Sequence, residues 1–280
     1  MYAPVWITLL VLHSTVASPT ATATHSSLEP GRGVVRGGSE GPCGLGLELA
    51  FDGSAENGYA WHSSGIAPPN YGAFAAKYGW EYGACGIELI LTSTADSPCR
   101  TLDAYLWQNA GGAPGAVLLM APDLDPCPVA IWPELSVHDF YLGMPTENTC
   151  GGFWVGYWAD FSQTDPGFYV AADLDGPGGV PYTNIAPGIG YPTGWNNVSV
   201  VWGPTQSLGI GAWLSWLVPI GACCHPDGSC TITGISECDG EFQGFCRDCD
   251  PNPCEVVPTT ESSWGRIKAI LRSGSVGTPR

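Results

Sequence analysis

Positive charge is scarce in this chain: 280 residues hold nine Lys and Arg against 26 Asp and Glu, for a net charge of −17. The scarcity is sharpest from Gly37 to Ala222, where Lys77 and Arg100 stand against 17 acidic residues, a local −15. Nucleic acid and anionic lipid headgroups are held through Lys and Arg, so neither is expected as a partner. Helical pattern is lacking too, since nothing between Cys43 and Pro219 keeps a helical period beyond about two turns. Histidine is sparse: past residue 42 only His62, His138 and His225 remain, and without an H-E-x-x-H string a zinc hydrolase has no support. The string Gly37-Gly38-Ser39-Glu40-Gly41 matches a nucleophile elbow but has no strand before it and no helix after it.

Glycine, proline and aromatics are plentiful. Gly (39) and Pro (25) together with 12 Trp and 11 Tyr favour short strands joined by tight turns. Ten strand candidates lie between turn signals: Leu45 to Phe51, Tyr71 to Ala76, Cys85 to Leu91, Leu102 to Trp107, Val117 to Met120, Glu134 to Tyr141, Gly152 to Trp158, Gly167 to Ala172, Val198 to Trp202 and Leu208 to Leu217. Asn109 to Gly115 reads as a hairpin connection. The expected fold is all-β, an antiparallel β-sandwich or jelly roll with a small disulfide-rich C-terminal module and a short C-terminal helix.

Composition shifts divide the chain. Val5 to Val16 is an apolar run followed by small residues at Thr15 and Ala17, or Ala21 and Ala23. Residues 1–23 therefore read as a secretory signal, too short for a membrane span, although Met1 to Pro4 lacks the usual Lys or Arg. Residues 24–42 read as a disordered Thr/Ser/Gly linker, 43–219 as the sandwich, 220–256 as the cysteine-rich module and 257–280 as a basic amphipathic tail. In that tail Trp264, Ile267 and Leu271 recur at helical spacing among Arg266, Lys268 and Arg272. No transmembrane run follows the signal, and the expected location is extracellular or on the cell surface.

Seven cysteines, Cys223, Cys224, Cys230, Cys238, Cys246, Cys249 and Cys254, fall within 32 positions on a polar background. A module of about 36 residues buries too little to fold unaided, and each bridge adds roughly 2 to 4 kcal/mol by restricting the unfolded chain. Export favours disulfides. Zinc is the rival reading, but Cys246-x-x-Cys249 lacks the second ligand pair of a structural site. The body holds five more, Cys43, Cys85, Cys99, Cys127 and Cys150, so both counts are odd. Full oxidation within one chain then requires a bridge from body to module, with Cys85–Cys99 and Cys127–Cys150 closing local loops and Cys43 left as the cross-linker.

The order Ala50-Phe51-Asp52-Gly53-Ser54-Ala55-Glu56, the hairpin at Leu106 to Leu118, Gly152-Phe153-Trp154-Val155-Gly156-Tyr157, and Asp173 to Gly179 followed by Trp195 and Trp202 resembles accessory β-sandwich domains of secreted bacterial proteins. Those domains look like carbohydrate-binding jelly rolls, which implies a binding module without catalytic residues of its own. Gly221-Ala222-Cys223-Cys224 with Asp227-Gly228-Ser229-Cys230 is similar to "GACC…DGSC" units of such proteins, and Trp264-Gly265-Arg266-Ile267-Lys268 to a "WGRIK" terminal segment.

Three site readings follow. Trp61, Tyr71, Trp80, Tyr82, Trp158, Tyr191 and Trp195 lie in or beside expected loops, where rings can stack on sugars; the competing reading is core and turn packing. Asp173 and Asp175 fall on one side of an extended segment just before a Gly-rich turn and are candidate ligands for a structural calcium, against a turn capped by its own Asp side chains. Glu48, Glu88, Glu134 and Asp160 offer carboxylate pairs for glycoside hydrolysis. The expected function is an exported non-enzymatic surface or matrix protein binding extracellular polysaccharide or protein. A glycan hydrolase and a self-assembling structural protein are the alternatives.

Overall fold

The computed structural model describes residues 24–28, 33–35, 43, 45–62, 70–79, 83–94, 98, 100–143, 151–160, 167–215 and 220–254. The chain divides after Trp216 into two units.

The first unit begins with β1 (Thr24–Ser27), β2 (Gly33–Val35), β3 (Gly46–Glu48), β4 (Ser54–Ala55), β5 (Asn57–His62), β6 (Phe74–Tyr78), β7 (Gly83–Thr92) and β8 (Leu102–Ala110). It continues through β9 (Ala113–Leu124), β10 (Glu134–Tyr141), β11 (Phe153–Ala159), β12 (Tyr169–Asp173), β13 (Pro181–Ile185), β14 (Gly194–Asn197), helix α1 (Ser199–Trp202), β15 (Ser207–Leu208) and β16 (Ile210–Ser215). One sheet runs β1-β5-β12-β7-β10-β2-β4, with β15 beside β12 and β16 between β7 and β3; the other runs β14-β13-β6-β11-β8-β9. Among the described strands every pairing is antiparallel except β2 with β10, and an isolated parallel bridge joins Ser93 to Ile131.

Alternation explains the layering. Ile87, Leu89 and Leu91 of β7, Tyr59 and Trp61 of β5, and Ile210 and Ala212 of β16 face Phe74, Leu106, Phe153, Val155 and Tyr157 of the second sheet in one buried core. The opposite face of β7 is covered as well, Ile90 lying under Phe51, Leu135 and Val137. The chain is therefore an antiparallel β-sandwich, as its composition implies. At the β8–β9 connection Ala110 pairs with Ala113. The two residues between, Gly111 (φ +62°) and Gly112 (φ +92°), both take the left-handed conformation that a two-residue hairpin requires.

Several expectations need correction. Val198 to Trp202 forms α1 in place of a strand. The Asn197 side chain accepts the Ser199 N–H at 2.9 Å to open the turn, and Gly203 at φ +88° closes it. Residues 24–42 are not wholly unpaired: β1 pairs with β5 and β2 with β10. Strands β5, β13 and β14 lie where none was expected. Cys43 bonds to Cys85 (Cα–Cα 6.2 Å), so Cys85 is not bridged to Cys99 and Cys43 is not a cross-linker. Gly46 and Ala84 share Leu214 of β16 as register partner, which brings the residues before β3 to the start of β7. Cys99, Cys150, the apolar N-terminal run and the WGRIK tail with its expected helix lie outside the described residues.

The second unit is a three-stranded antiparallel sheet of β17 (Ile220–Cys224), β18 (Cys230–Gly234) and β19 (Glu241–Phe245), ordered β18-β17-β19. Bridges Cys223–Cys238, Cys224–Cys254 and Cys230–Cys249 staple it. All seven of its cysteines are disulfide-bonded, which leaves no thiolate pair for zinc. Its β17–β18 turn is set by Asp227, whose Oδ1 accepts the Ser229 N–H at 2.9 Å.

Candidate functional site: an aromatic trough on the second sheet

The second sheet alternates aromatics on both of its faces. Leu102, Ala104 and Leu106 of β8 and Phe153, Val155 and Tyr157 of β11 point into the main core. The residues between them, Tyr105, Trp107 and Trp154, build a separate cluster with Ala75, against which Trp158, Tyr182 and Trp195 pack. Within the first unit this face is closed over by curvature. Trp107 on β8 and Trp195 on β14 are four strands apart, about 19 Å in a flat sheet. Their ring centroids are 5.3 Å apart, so the sheet curls until its outward face becomes a trough, and β14 comes within 8 Å of β9 between Cα atoms.

Register fixes the trough's interior. One row across the strands reads Asn197, Tyr182, Ala75, Gly156, Tyr105 and Met120. The small pair Ala75 and Gly156 lies at its middle, and a Cβ added at Gly156 would collide with Phe74 O and sit 2.7 Å from the Ala75 Cα. A second row reads Lys77, Trp154, Trp107 and Val117. Tyr105 stacks on Trp107 at 4.9 Å, and Trp154 meets Tyr182 at 4.7 Å.

Burial separates floor from rim. Trp154 (0% exposed), Trp107 (2%) and Tyr105 (5%) offer no free ring face. Trp158, Tyr182 and Trp195 are half-buried and form the accessible rings. The polar groups also differ in what they have left to give. Asn109 is occupied, its Oδ1 accepting from Trp154 Nε1 at 3.1 Å and its Nδ2 donating to Gly151 O at 2.8 Å. Asp103 accepts the Asp123 N–H at 3.0 Å and, at 3.4 Å, the Tyr105 hydroxyl. Burial, with the Asp103 charge second, pushes the Tyr105 phenol up to about 12, so it remains a donor. Asn184 is 8% exposed and alternates onto the trough face with Tyr182, opposite Trp195 in the register. Its backbone bonds to Gly72 and Ala73, but its side-chain amide has no partner among the described residues.

Of the residues singled out by sequence, Trp158 and Trp195 thus belong to the trough. Trp61 does not: it is 1% exposed on β5, its Nε1 donates to Thr183 Oγ1 at 2.8 Å, and no ring face is free for a sugar. Tyr71 packs half-buried on the main core and accepts the Trp158 Nε1–H at its carbonyl, 3.0 Å away. Tyr191 packs on that core too, edge-on to His25 at 5.7 Å. Trp80 and Tyr82 lie outside the described residues. Tyr105, Trp107 and Trp154 were missed because they lie within expected strands, where core packing is the default reading, and Tyr182 because its strand, β13, was itself not expected. The usable signal was phase, since Tyr105 and Trp107 occupy the face opposite Leu102 and Leu106.

Elsewhere, Asp52, Asp173 and Asp175 bring one carboxylate oxygen each within 4.8 Å of one another. Asp173 is fully buried and already occupied. Its Oδ1 accepts the N–H groups of Asp175 (3.1 Å) and Gly176 (2.6 Å), and its Oδ2 accepts the Asp52 N–H at 3.1 Å. Glu56 answers in reverse, accepting the Leu174 N–H at 2.8 Å. This reciprocal clamp joins the residues on either side of β4 to the end of β12 and the turn that follows it.

Glu88, 5% exposed, lies opposite Asp139 in the β7–β10 register. Burial first, then the charge and hydrogen bond of Asp139, push its carboxyl up to about 7. Trp213 lies opposite Gly86, and its Nε1 reaches over β7 to Asp139 Oδ1 at 2.6 Å. Carboxyls that share a hydrogen bond are closer than the roughly 5 to 9.5 Å that glycoside hydrolysis uses. Glu48 on β3 lies across β16 from Glu88, opposite Ala212 where Glu88 is opposite Gly211, and after burial both charges help to raise the Tyr78 phenol; Glu134 at the start of β10 and Asp160 after β11 belong to other places in the fold.

In the second unit His225 links Asp239 (Nδ1 to Oδ1, 2.7 Å) and Thr231 (Nε2 to Oγ1, 2.9 Å). The order mimics a hydrolase triad, but Asp239 is 79% exposed and stands in water, without the dry setting in which such a carboxylate stabilises an imidazolium. Compared with protein-family models, curated proteins and solved structures, the chain shows no match.

Proposed function

We propose that this protein is an exported, non-enzymatic β-sandwich that binds an extracellular polysaccharide in the trough of its second sheet. The carrying observation is the pairing of accessible rings with an unoccupied amide: Trp158, Tyr182 and Trp195 at the rim, and Asn184 among them. Sugars present C–H faces to aromatic rings and hydroxyls to amides, so this combination suits them better than an apolar peptide. Export is supported by the oxidised state of the described cysteines, which persists outside the cytosol. Among the described residues no helix is long and apolar enough to cross a membrane.

The test is affinity electrophoresis against a panel of soluble polysaccharides. The native chain is retarded by at least one of them, Trp195→Ala and Asn184→Ala each weaken that retardation about tenfold, and no reducing ends appear. Retardation that survives Trp195→Ala unchanged would remove the trough as the site. Release of reducing ends abolished by an acidic-residue substitution would return the enzyme reading.

A further inference from the structure

Resting on that reading, we infer that the trough prefers acidic polysaccharides, with a uronate carboxylate placed against Lys77. Between Gly37 and Ala222 Lys77 is one of two cations among 17 acidic residues. Lys77 has no ion pair among the described residues and stays half-buried, in register with Trp154 at one end of the trough. A Cβ added at Gly152 would touch its stem at 3.5 Å, and Gly152 at φ +90° has no side chain there. The stem therefore lies along backbone, and the ammonium group has no hydrogen-bond partner among the described residues.

The trough's acid is in the opposite condition. Asp103, in register with Trp158 and four residues along β11 from Trp154, already accepts from Asp123 and Tyr105. That separation is about 13 Å along the strand. One end thus offers an uncompensated cation and the other a carboxylate with its own donors, an asymmetry that selects an anionic group at the Lys77 end and hydroxyls near Asn184 and Trp158. The acidic remainder of the body does not forbid this, because at physiological ionic strength charges more than about 8 Å away are largely screened.

The test compares polygalacturonate, alginate and hyaluronan, each beside its methyl ester, which keeps the sugar and removes the charge. Binding to the full-length oxidised chain is read by calorimetry at about 0.15 M salt. At least one acid form binds about fivefold tighter than its ester. Lys77→Met brings the two forms to equal affinity without weakening the ester, and Lys77→Arg keeps the preference. Equal binding of acid and ester by the native chain, or a preference untouched by Lys77→Met, overturns the inference while the trough stands. Binding that ignores Trp195→Ala, or no binding of any form, removes the site and the inference with it.

Discussion

All ten residues of β7 are buried, and the first unit surrounds them with two layers of aromatic and aliphatic side chains. In the second unit Ala222, Cys223 and Cys254 are the buried hydrophobic residues among those described, while Ile232 (45%), Ile235 (54%) and Phe245 (46%) are exposed. The two units thus reach order by different means. The first removes apolar surface from water, at about 25 cal/mol per Å². The second cannot, and restricts its unfolded chain with three bridges across 15, 30 and 19 residues of sequence. Within one chain, then, sulfur is concentrated where apolar burial is thin.

Reduction is the strongest way to break that contrast. Each bridge is worth about 2 to 4 kcal/mol, so losing these three, with the bonds of Cys246 and Cys127 opened as well, removes the second unit's structure, while the first, with Cys43–Cys85 also opened, stays folded. Limited proteolysis after dithiothreitol treatment should cleave within Ile220–Cys254 and spare β5 to β12. A first unit that unfolds together with the second would end the distinction. Truncation in the core is next: Trp61→Ala costs about 3 to 5 kcal/mol, read by denaturant unfolding of the first unit. The half-exposed Phe245→Ala costs under about 1 kcal/mol. Equal costs would mean that the second unit has a core of its own.

The same contrast governs what was legible in the sequence. Cysteine density announced the second unit because its stabilising chemistry is written in one residue type. The sandwich was legible through alternation in Leu102 to Trp107 and Glu134 to Tyr141, where period-two burial leaves its mark. Strand β5 was not, because Asn57 and Gly58 look like a turn. Gly58 is there for a close approach: an added Cβ would lie 2.7 Å from Leu28 Cδ1 and 3.1 Å from Tyr169 Cβ. Val198 to Trp202 failed in the other direction, a valine-rich run turned into a helix by the Asn197 side chain, which accepts the Ser199 N–H, and ended by Gly203. The trough was half legible. Trp158 and Trp195 could be named, but the curl that makes a floor of Tyr105, Trp107 and Trp154 depends on contacts between strands far apart in sequence. The pairing of Cys43 with Cys85 likewise depends on β16, 130 residues later.

Titration separates the units a second time. Glu88 binds its proton more tightly when folded, with its carboxyl raised from 4.5 to about 7. A raised acid stabilises most at low pH and loses that contribution as pH climbs from 4.5 to about 7, a total of about 3 kcal/mol at most. Glu88→Gln keeps the donor to Asp139 without the charge, so it raises the first unit's melting temperature at pH 8 and leaves it unchanged at pH 4.5. In the second unit Asp227 is held below the usual carboxylate range by the Ser229 hydroxyl and N–H. Its contribution therefore runs the other way and is lost as pH falls. Both units weakening in the same direction would defeat this part of the comparison.

The smallest effect tests whether the first unit uses an ion where the second uses sulfur. Asp173 sits at the junction of two turns, and an ion bound there would be the first unit's own staple. Its carboxylate already receives three backbone N–H groups, which supply the positive charge that calcium would bring. Asp173→Asn keeps one acceptor oxygen, loses the charge and turns an amide N–H₂ toward donors, at a cost of about 1 to 3 kcal/mol. If the donors suffice, millimolar calcium leaves the melting temperature of the native chain unchanged by calorimetry, and Asp52→Asn and Asp175→Asn cost little. A calcium-dependent rise abolished by either of those substitutions would show that the clamp closes around a metal, and burial alone would no longer account for the first unit's order.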